Sequence, residues 1–286
     1  MSMVDVFVAG AAGNTGRPLV EELRRNDVSV RAMVRRPDDV VPGDPEKVVA
    51  DFDDVDSIRA ALRGARRAYL VTPSSERAEE QQRDFVAAAR AAGVERLVLL
   101  SQLGARADSP VRFLRYHAAV EEHIRDSGME FTFLRPNLYF QGLFAVAATI
   151  ADQGVLPAPI GDATVSAVDV RDIAAVAAAA LTQDAHRNAT YTITGPQAIT
   201  HAAMAGAIAK ATGRDVRFLD TAPDDFAAAL RGVLPAWQVE GLLEDYAHYR
   251  RGEADAVTNV VEETTARPAI PFERFAMDYA DRFGRT

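Results

Sequence analysis

The strongest constraint on the fold lies at the start of the chain, in Val4-Asp-Val-Phe-Val-Ala-Gly10-Ala-Ala-Gly13-Asn-Thr-Gly16-Arg-Pro18. A short apolar run of this kind reads as a buried strand, and it passes directly into a glycine-rich turn and then a helix. That sequence of parts holds a dinucleotide pyrophosphate against backbone N–H groups and the positive end of a helix. Gly10 permits the tight turn, Gly13 lets the backbone approach the phosphates, and Gly16 lets helix and strand pack closely. Asn14 and Thr15 complete the expected cradle. Three glycines alone are a weak signal; with a strand before them and a helix after them the signal is strong.

The first half of the chain repeats this alternation. Apolar runs at Val4–Ala9, Val28–Val34, Lys47–Ala50, Ala68–Val71, Arg96–Leu100 and Phe131–Leu134 read as strands. Amphipathic stretches at Thr15–Arg25, Val55–Arg63, Glu76–Ala92 and Val111–Ser127 read as helices. Gly93 and Gly128 are natural helix stops. The expected class is α/β: a doubly wound, Rossmann-type parallel sheet whose crevice lies at the carboxyl ends of strands one and four. After Arg135-Pro136 the rhythm changes. An apolar helix around Leu138–Ala151, a loop at Gly154–Pro159, an alanine-rich helix at Val170–Leu181, short strands at Thr190–Ile193 and Asp215–Phe218, a helix at Thr200–Ala211 and three further helices are expected. This reads as a dinucleotide-binding domain over 1–136 and a smaller, mostly helical substrate lobe over 137–286, with a soft boundary that lets late strands rejoin the sheet. The stretch Asn137-Leu-Tyr-Phe-Gln-Gly142 imitates a protease site used in expression, but it lies inside a folded-looking segment and is read as native.

The end of the second strand discriminates between NAD and NADP. An acid there binds the ribose 2′-hydroxyl, whereas an arginine accommodates a 2′-phosphate. Arg35 and Arg36 stand at that point with no carboxylate, at the expected offset of about 20 residues from the glycine turn. Two solvated loop charges are the plain alternative; NADP(H) is the expected cofactor. Asp51-Phe52 follows the third strand, where an Asp meets the adenine amine and a ring lines the base; a turn cap and a core phenylalanine read equally well. Thr72, Pro73 and Ser101 close strands four and five on the path of the nicotinamide half.

Composition removes several classes of function. With a formal charge of −9, a nucleic-acid-binding face is not expected. The absence of cysteine removes disulfides, thiolate metal sites and a cysteine nucleophile. The scattered His117, His123, His186, His201 and His248 have no metal-binding spacing, so no metal is expected. No run approaches the roughly 18 apolar residues of a membrane span, and the first strand leaves no room for a signal peptide. The expected setting is the cytoplasm.

These motifs, in this order, resemble the NmrA-like atypical short-chain dehydrogenase/reductases, nearest the NADPH-dependent quinone oxidoreductase and triphenylmethane reductase group. The resemblance runs over essentially the whole chain. It is carried by Gly10–Gly16, Val30–Pro37, Asp51–Asp54, Leu97–Gly104, His117–Glu121, Ser127–Pro136, Val168–Ala174 and Tyr191–Pro196. It implies an NADP(H)-binding Rossmann domain with a small lobe over a substrate cleft. The activity stays open, since some members are reductases and others bind dinucleotide without turnover and report redox state to a protein partner.

Typical short-chain dehydrogenases set a Lys one helical turn beyond a Tyr, which lowers the phenol pKa. Here Tyr116 is followed at that spacing by Val120. Without the cation a tyrosine stays near its reference value of about 10, so alcohol–ketone interconversion by that route is not expected. His117 and Glu121 occupy one helix face and match the quinone-reductase relatives. A carboxylate beside the imidazole raises its pKa and makes His117 an acid near neutral pH; an exposed pair supporting the helix is the alternative. On the substrate side, Asn137, Tyr139 and Phe144 follow strand six, and Tyr139 joins His117 as a candidate catalytic residue. Phe226, Trp237, Tyr246 and Tyr249 are candidates for a lid or for core. The site expected is one for a small, hydrophobic, aromatic or conjugated acceptor.

Overall fold

The structure, a computed structural model, describes residues 4–284. Strands and helices alternate from the start as β1 (Val4–Val8), α1 (Gly16–Arg25), β2 (Val30–Val34), β3 (Glu46–Val49), α2 (Val55–Leu62), β4 (Ala65–Leu70), α3 (Ala78–Ala91), β5 (Arg96–Leu100), α4 (Arg112–Ser127) and β6 (Glu130–Pro136). A 3-10 helix (Phe140–Val146), α5 (Ala147–Gln153), β7 (Val155–Ala158), β8 (Thr164–Val165) and α6 (Val170–Thr182) follow. Next come β9 (Ala189–Ile193), β10 (Ile199–Thr200), α7 (His201–Thr212) and β11 (Arg217–Asp220). The chain ends in α8 (Pro223–Leu230), α9 (Ala236–Arg250), α10 (Val260–Thr265), α11 (Phe272–Asp278) and α12 (Ala280–Phe283).

Contacts divide the chain into two compact units: residues 4–109, 113–136 and 170–192, and residues 110–112, 137–169 and 193–284. The first unit carries the main sheet, in the order β3-β2-β1-β4-β5-β6-β9. β1 pairs in parallel with β2 and β4, so the order of winding reverses beside it. A reversal of this kind opens a crevice at the strands' carboxyl ends, and α1 begins there. The strands β1, β2 and β5 are buried nearly throughout, as the continuous apolar runs of a sheet covered on both faces require. Phe7, Leu70, Phe85, Leu99 and Phe133 belong to the core on one face. On α6 every residue but Arg171 and Thr182 is buried, and its alanines let it pack closely on β4, β5, β6 and α1.

Two arginines, each 1% exposed, fasten helix ends to the sheet. Arg31 on β2 donates to the carbonyls of Ala61 (3.1 Å) and Arg63 (2.6 Å) at the end of α2, and to Glu46. Arg96 on β5 donates to the carbonyls of Ala180 (3.1 Å) and Gln183 (2.9 Å) at the end of α6, and to Glu130 and Asp184. The last carbonyls of a helix have no partner within it, and these guanidinium groups supply one.

In the second unit β7 pairs in parallel with β11, and β8 antiparallel with β10. The stretch expected as the loop Gly154–Pro159 is therefore partly strand, completed by a partner about sixty residues later. The expected helix at Leu138–Ala151 divides into the 3-10 segment and α5. Its rings Phe140 and Phe144 pack on Phe275, which keeps the protease-like stretch inside the fold. Past β11 five helices stand among the described residues where three were expected. Among the described residues no helix is long and apolar enough to cross a membrane.

Candidate functional site

The cradle is built from backbone. After β1, Gly10 takes φ +62°, a left-handed conformation that disfavours any side chain. A Cβ on Gly13 would lie 3.1 Å from the Gly10 carbonyl oxygen, and one on Gly16 only 2.1 Å from it. The turn is closed by Gly13 N–H donating to the Gly10 carbonyl (2.9 Å) and Arg17 N–H to that of Gly13 (3.1 Å). Among the described residues, the N–H groups of Asn14, Thr15 and Gly16 donate to nothing in the fold. The first turn of α1 holds no acidic residue, so the helix's own positive end is unopposed. A turn that side chains would fill, ringed by open donors, fits a pyrophosphate.

Arg35 and Arg36 are exposed directly beyond β2. Their backbone N–H groups both donate to Asp39 Oδ2 at 3.1 Å, while neither guanidinium has an ion pair or hydrogen bond among the described residues. Lys47 Nζ donates to the carbonyls of Pro37 (3.1 Å) and Asp39 (3.4 Å), bracing the same loop. Two unengaged forks on a braced loop suit a phosphate. Asp39 and Lys47 were not anticipated from the sequence. Their role depends on the loop folding back over β3, which no local pattern announces.

Asp51 Oδ1 accepts from Asp53 N–H (3.0 Å), the side chain-to-backbone turn given as the alternative to an adenine contact. Phe52 is half-buried, its ring 6.1 Å from that of Phe85, so one face already belongs to the core. Thr72 Oγ1 accepts from the buried Gln82 (2.8 Å), and Pro73 is exposed beside it. Ser101 departs from expectation: it is buried, and its hydroxyl donates to Glu121 Oε1 at 2.6 Å instead of standing open at the strand end.

The reading of His117 as an acid raised by Glu121 is corrected. Glu121, fully buried, is held by Arg135, whose Nε donates to Oε1 at 2.8 Å and whose second nitrogen reaches Oε2, as well as by Ser101 and by Arg125 (3.3 Å). His117 is 7% exposed and its Nδ1 is buried without a partner. Burial, and then the Arg135 charge, push its pKa down to about 3. The imidazole is therefore neutral at pH 7 and offers a hydrogen bond, not a proton. Val120, at the position of the missing lysine, is in the core. The chain's lysines, Lys47 and Lys210, both lie off α4.

The acceptor-side candidates belong to the second unit. Asn137 is 3% exposed and its amide is occupied: Nδ2 donates to Ser166 Oγ (2.9 Å) and the Ala254 carbonyl (2.8 Å), and Oδ1 accepts from Leu138 N–H (2.8 Å). Phe144 joins an aromatic cluster with Phe275, Tyr279 and Phe283. Both residues are thus spent on structure. Tyr139 is half-buried and bridges through its backbone to Val168. Phe226, Tyr246 and Tyr249 pack on one another as core, which answers the lid alternative for these three.

Comparison with known proteins agrees with the cradle. The NAD(P)H-binding family matches residues 10–184. The chain belongs to that family. This NAD(P)H-binding protein is 32% identical over 283 residues to an NAD(P)H azoreductase of Xenophilus azovorans, covering 98% of this chain and 99% of the relative. It is 35% identical over 281 residues to a (4-alkanoyl-5-oxo-2,5-dihydrofuran-3-yl)methyl phosphate reductase of Streptomyces griseus, covering 97% and 99%. Among solved structures, the NADPH-dependent quinone oxidoreductase of Escherichia coli in complex with NADPH superposes with a TM-score of 0.84 at 25% identity, over 96% of this chain and 99% of the other. The resemblance to NmrA-like atypical short-chain reductases holds, and the protein is an NAD(P)H-dependent oxidoreductase of that type.

Proposed function

We propose that the protein is an NADPH-dependent reductase that delivers hydride to a quinone-like or other conjugated aromatic acceptor. Bound reduced nicotinamide supplies the hydride. The open N–H groups of Asn14, Thr15 and Gly16 hold the pyrophosphate, and Arg35 and Arg36 hold the 2′-phosphate. Asp51 and Phe52 border the adenine, and Thr72 and Pro73 the nicotinamide ribose. Tyr139 provides a half-buried ring for a planar acceptor.

The acceptor class rests on the state of His117. With that imidazole neutral and Val120 in place of a cation, His117 is not poised as an acid. A conjugated acceptor suits such a site, because hydride addition to a quinone leaves a delocalised anion that water can protonate, and addition to a cationic dye leaves a neutral product that needs no proton. The relatives named as azoreductase and quinone oxidoreductase support the same class. The test is NADPH oxidation against quinones, azo and triphenylmethane dyes and conjugated ketones. Turnover on at least one of the first three groups is expected. Saturable NADPH binding without oxidation of any would instead favour a dinucleotide sensor acting through a protein partner.

A further inference from the structure

We propose that Gln82 is a positioning residue for the cofactor site: its buried amide holds the Thr72 oxygen, so that the Thr72 proton is left for the nicotinamide ribose. α3 turns Ala78, Gln82, Phe85, Val86 and Ala89 inward, a stripe at the helical spacing of three and four residues. Gln82 is the polar member of that stripe, and at 1% exposed it lies as deep as its neighbours. Phe85, one turn on, packs against Phe7 of β1 with ring centroids 6.0 Å apart. The two ends of the amide fare differently: Nε2 donates to Thr72 Oγ1 at 2.8 Å, whereas Oε1 is buried with no partner among the described residues. A buried carbonyl oxygen without a donor costs stability that an apolar side chain of similar shape would not. Core packing therefore gives no reason for an amide at this position, and the bond to Thr72 does.

Thr72 stands where such a bond matters. β4 lies beside β1 at the reversal of the sheet, and the chain leaves its carboxyl end through Val71 and Thr72. Val71 abuts the glycine turn: a Cβ on Gly10 would fall 2.8 Å from Val71 Cγ1 and 3.5 Å from its carbonyl oxygen. Thr72, next in the chain and half-buried, borders the crevice from the β4 side. A threonine hydroxyl has one proton to donate and two lone pairs that accept. With Gln82 donating to one lone pair, the proton is turned away from α3, and among the described residues it has no acceptor. A ribose hydroxyl oxygen supplies one. The branched Cβ restricts the side chain to few rotamers, so a single bond to the oxygen is enough to fix it. An amide and a hydroxyl in series polarise one another, which strengthens the last bond.

The inference rests on the placement of Thr72 beside the nicotinamide ribose and is independent of the acceptor proposed above. A protein that binds the cofactor but reduces nothing in the panel leaves it standing. The test is calorimetric titration of NADPH, NADH and adenosine 2′,5′-bisphosphate, which lacks the nicotinamide half. The titrated proteins are the wild-type chain, Gln82→Met, Thr72→Val, Thr72→Ser and the Gln82→Met/Thr72→Val double variant. Gln82→Met and Thr72→Val should each weaken NADPH and NADH by about fivefold and leave the bisphosphate unchanged. The double variant should bind no worse than Thr72→Val alone, and Thr72→Ser should bind like wild type. Gln82→Met should also melt no lower than wild type, a result that a merely structural amide would not give. Should it fail to fold, Gln82→Asn, whose shorter amide cannot reach Thr72, takes its place. Wild-type NADPH affinity in Thr72→Val overturns the proposal together with the placement of Thr72. Loss there with wild-type affinity in Gln82→Met overturns the proposal alone. So does equal weakening of all three ligands, or a Gln82→Met loss of the same size with and without the threonine hydroxyl.

Discussion

Arg35 and His117 make the sharpest claims at the scale of single residues. An Arg35→Glu substitution places an acid where the 2′-phosphate is held, and NADPH affinity should fall by about tenfold or more while NADH affinity holds or improves. Paired titrations check this, and an unchanged ratio removes Arg35 from the site. For His117, kcat/KM for NADPH should show no inflection near pH 6.5, because a pKa of about 3 leaves the ring neutral throughout the working range. An inflection there that vanishes in His117→Gln would restore the acid. The sequence showed the glycines and arginines because backbone conformation and charge type are local properties. It did not show the state of His117, which depends first on its burial and then on the charge of Arg135, the residue that holds Glu121. A third claim concerns stability. His117 and His201 have folded pKa values of about 3 and about 4, below an unfolded value near 6.5. The unfolded chain therefore binds more protons in that window, and stability falls as pH drops from 6.5 towards 4. His201 alone should cost about 2 kcal/mol at pH 5 relative to pH 8. His201→Phe, set among Phe218 and Tyr246, should flatten this part of the acid melting profile.

Among elements, the buried arginines separate the fold's necessary charges from its decorative ones. Arg96 carries the C-terminal carbonyls of α6, so Arg96→Met should destabilise by about 3 kcal/mol, leaving buried carbonyls unmet. Arg66, paired with Glu95 at the surface, should change stability by less than about 1 kcal/mol on the same substitution. Denaturant midpoints of the two variants check the contrast, and equal effects would show that the helix-end contacts contribute nothing. The strands of the main sheet were legible because each is a short apolar run closed by a polar turn. Val155–Ala158 was not: Pro157 and a flanking glycine read as loop, and its partner Arg217–Asp220 lies beyond three intervening strands and the helices α6 and α7. Aromatic residues at helical spacing gave no means of telling core from lid, and only packing assigned Phe226 and Tyr246 to the core.

For the molecule as a whole, the first unit is discontinuous in sequence, because residues 170–192 return to it after the chain has passed through the second. The change of rhythm at Pro136 was visible, but an alanine-rich helix carries no label for the layer it will cover. A chain ended at residue 136 lacks α6 and β9, so it should melt without a cooperative transition, whereas the full chain should melt cooperatively; calorimetry distinguishes them. The same discontinuity sets a schedule during synthesis. At ribosomal rates of about 5–20 residues per second, roughly 3 to 11 s separate the emergence of β6 from that of β9. For that interval the nascent sheet presents an unpaired β6 edge and the apolar surface awaiting α6. The dinucleotide cradle, which precedes both strands in sequence, therefore rests on a sheet that stays incomplete until β9 follows.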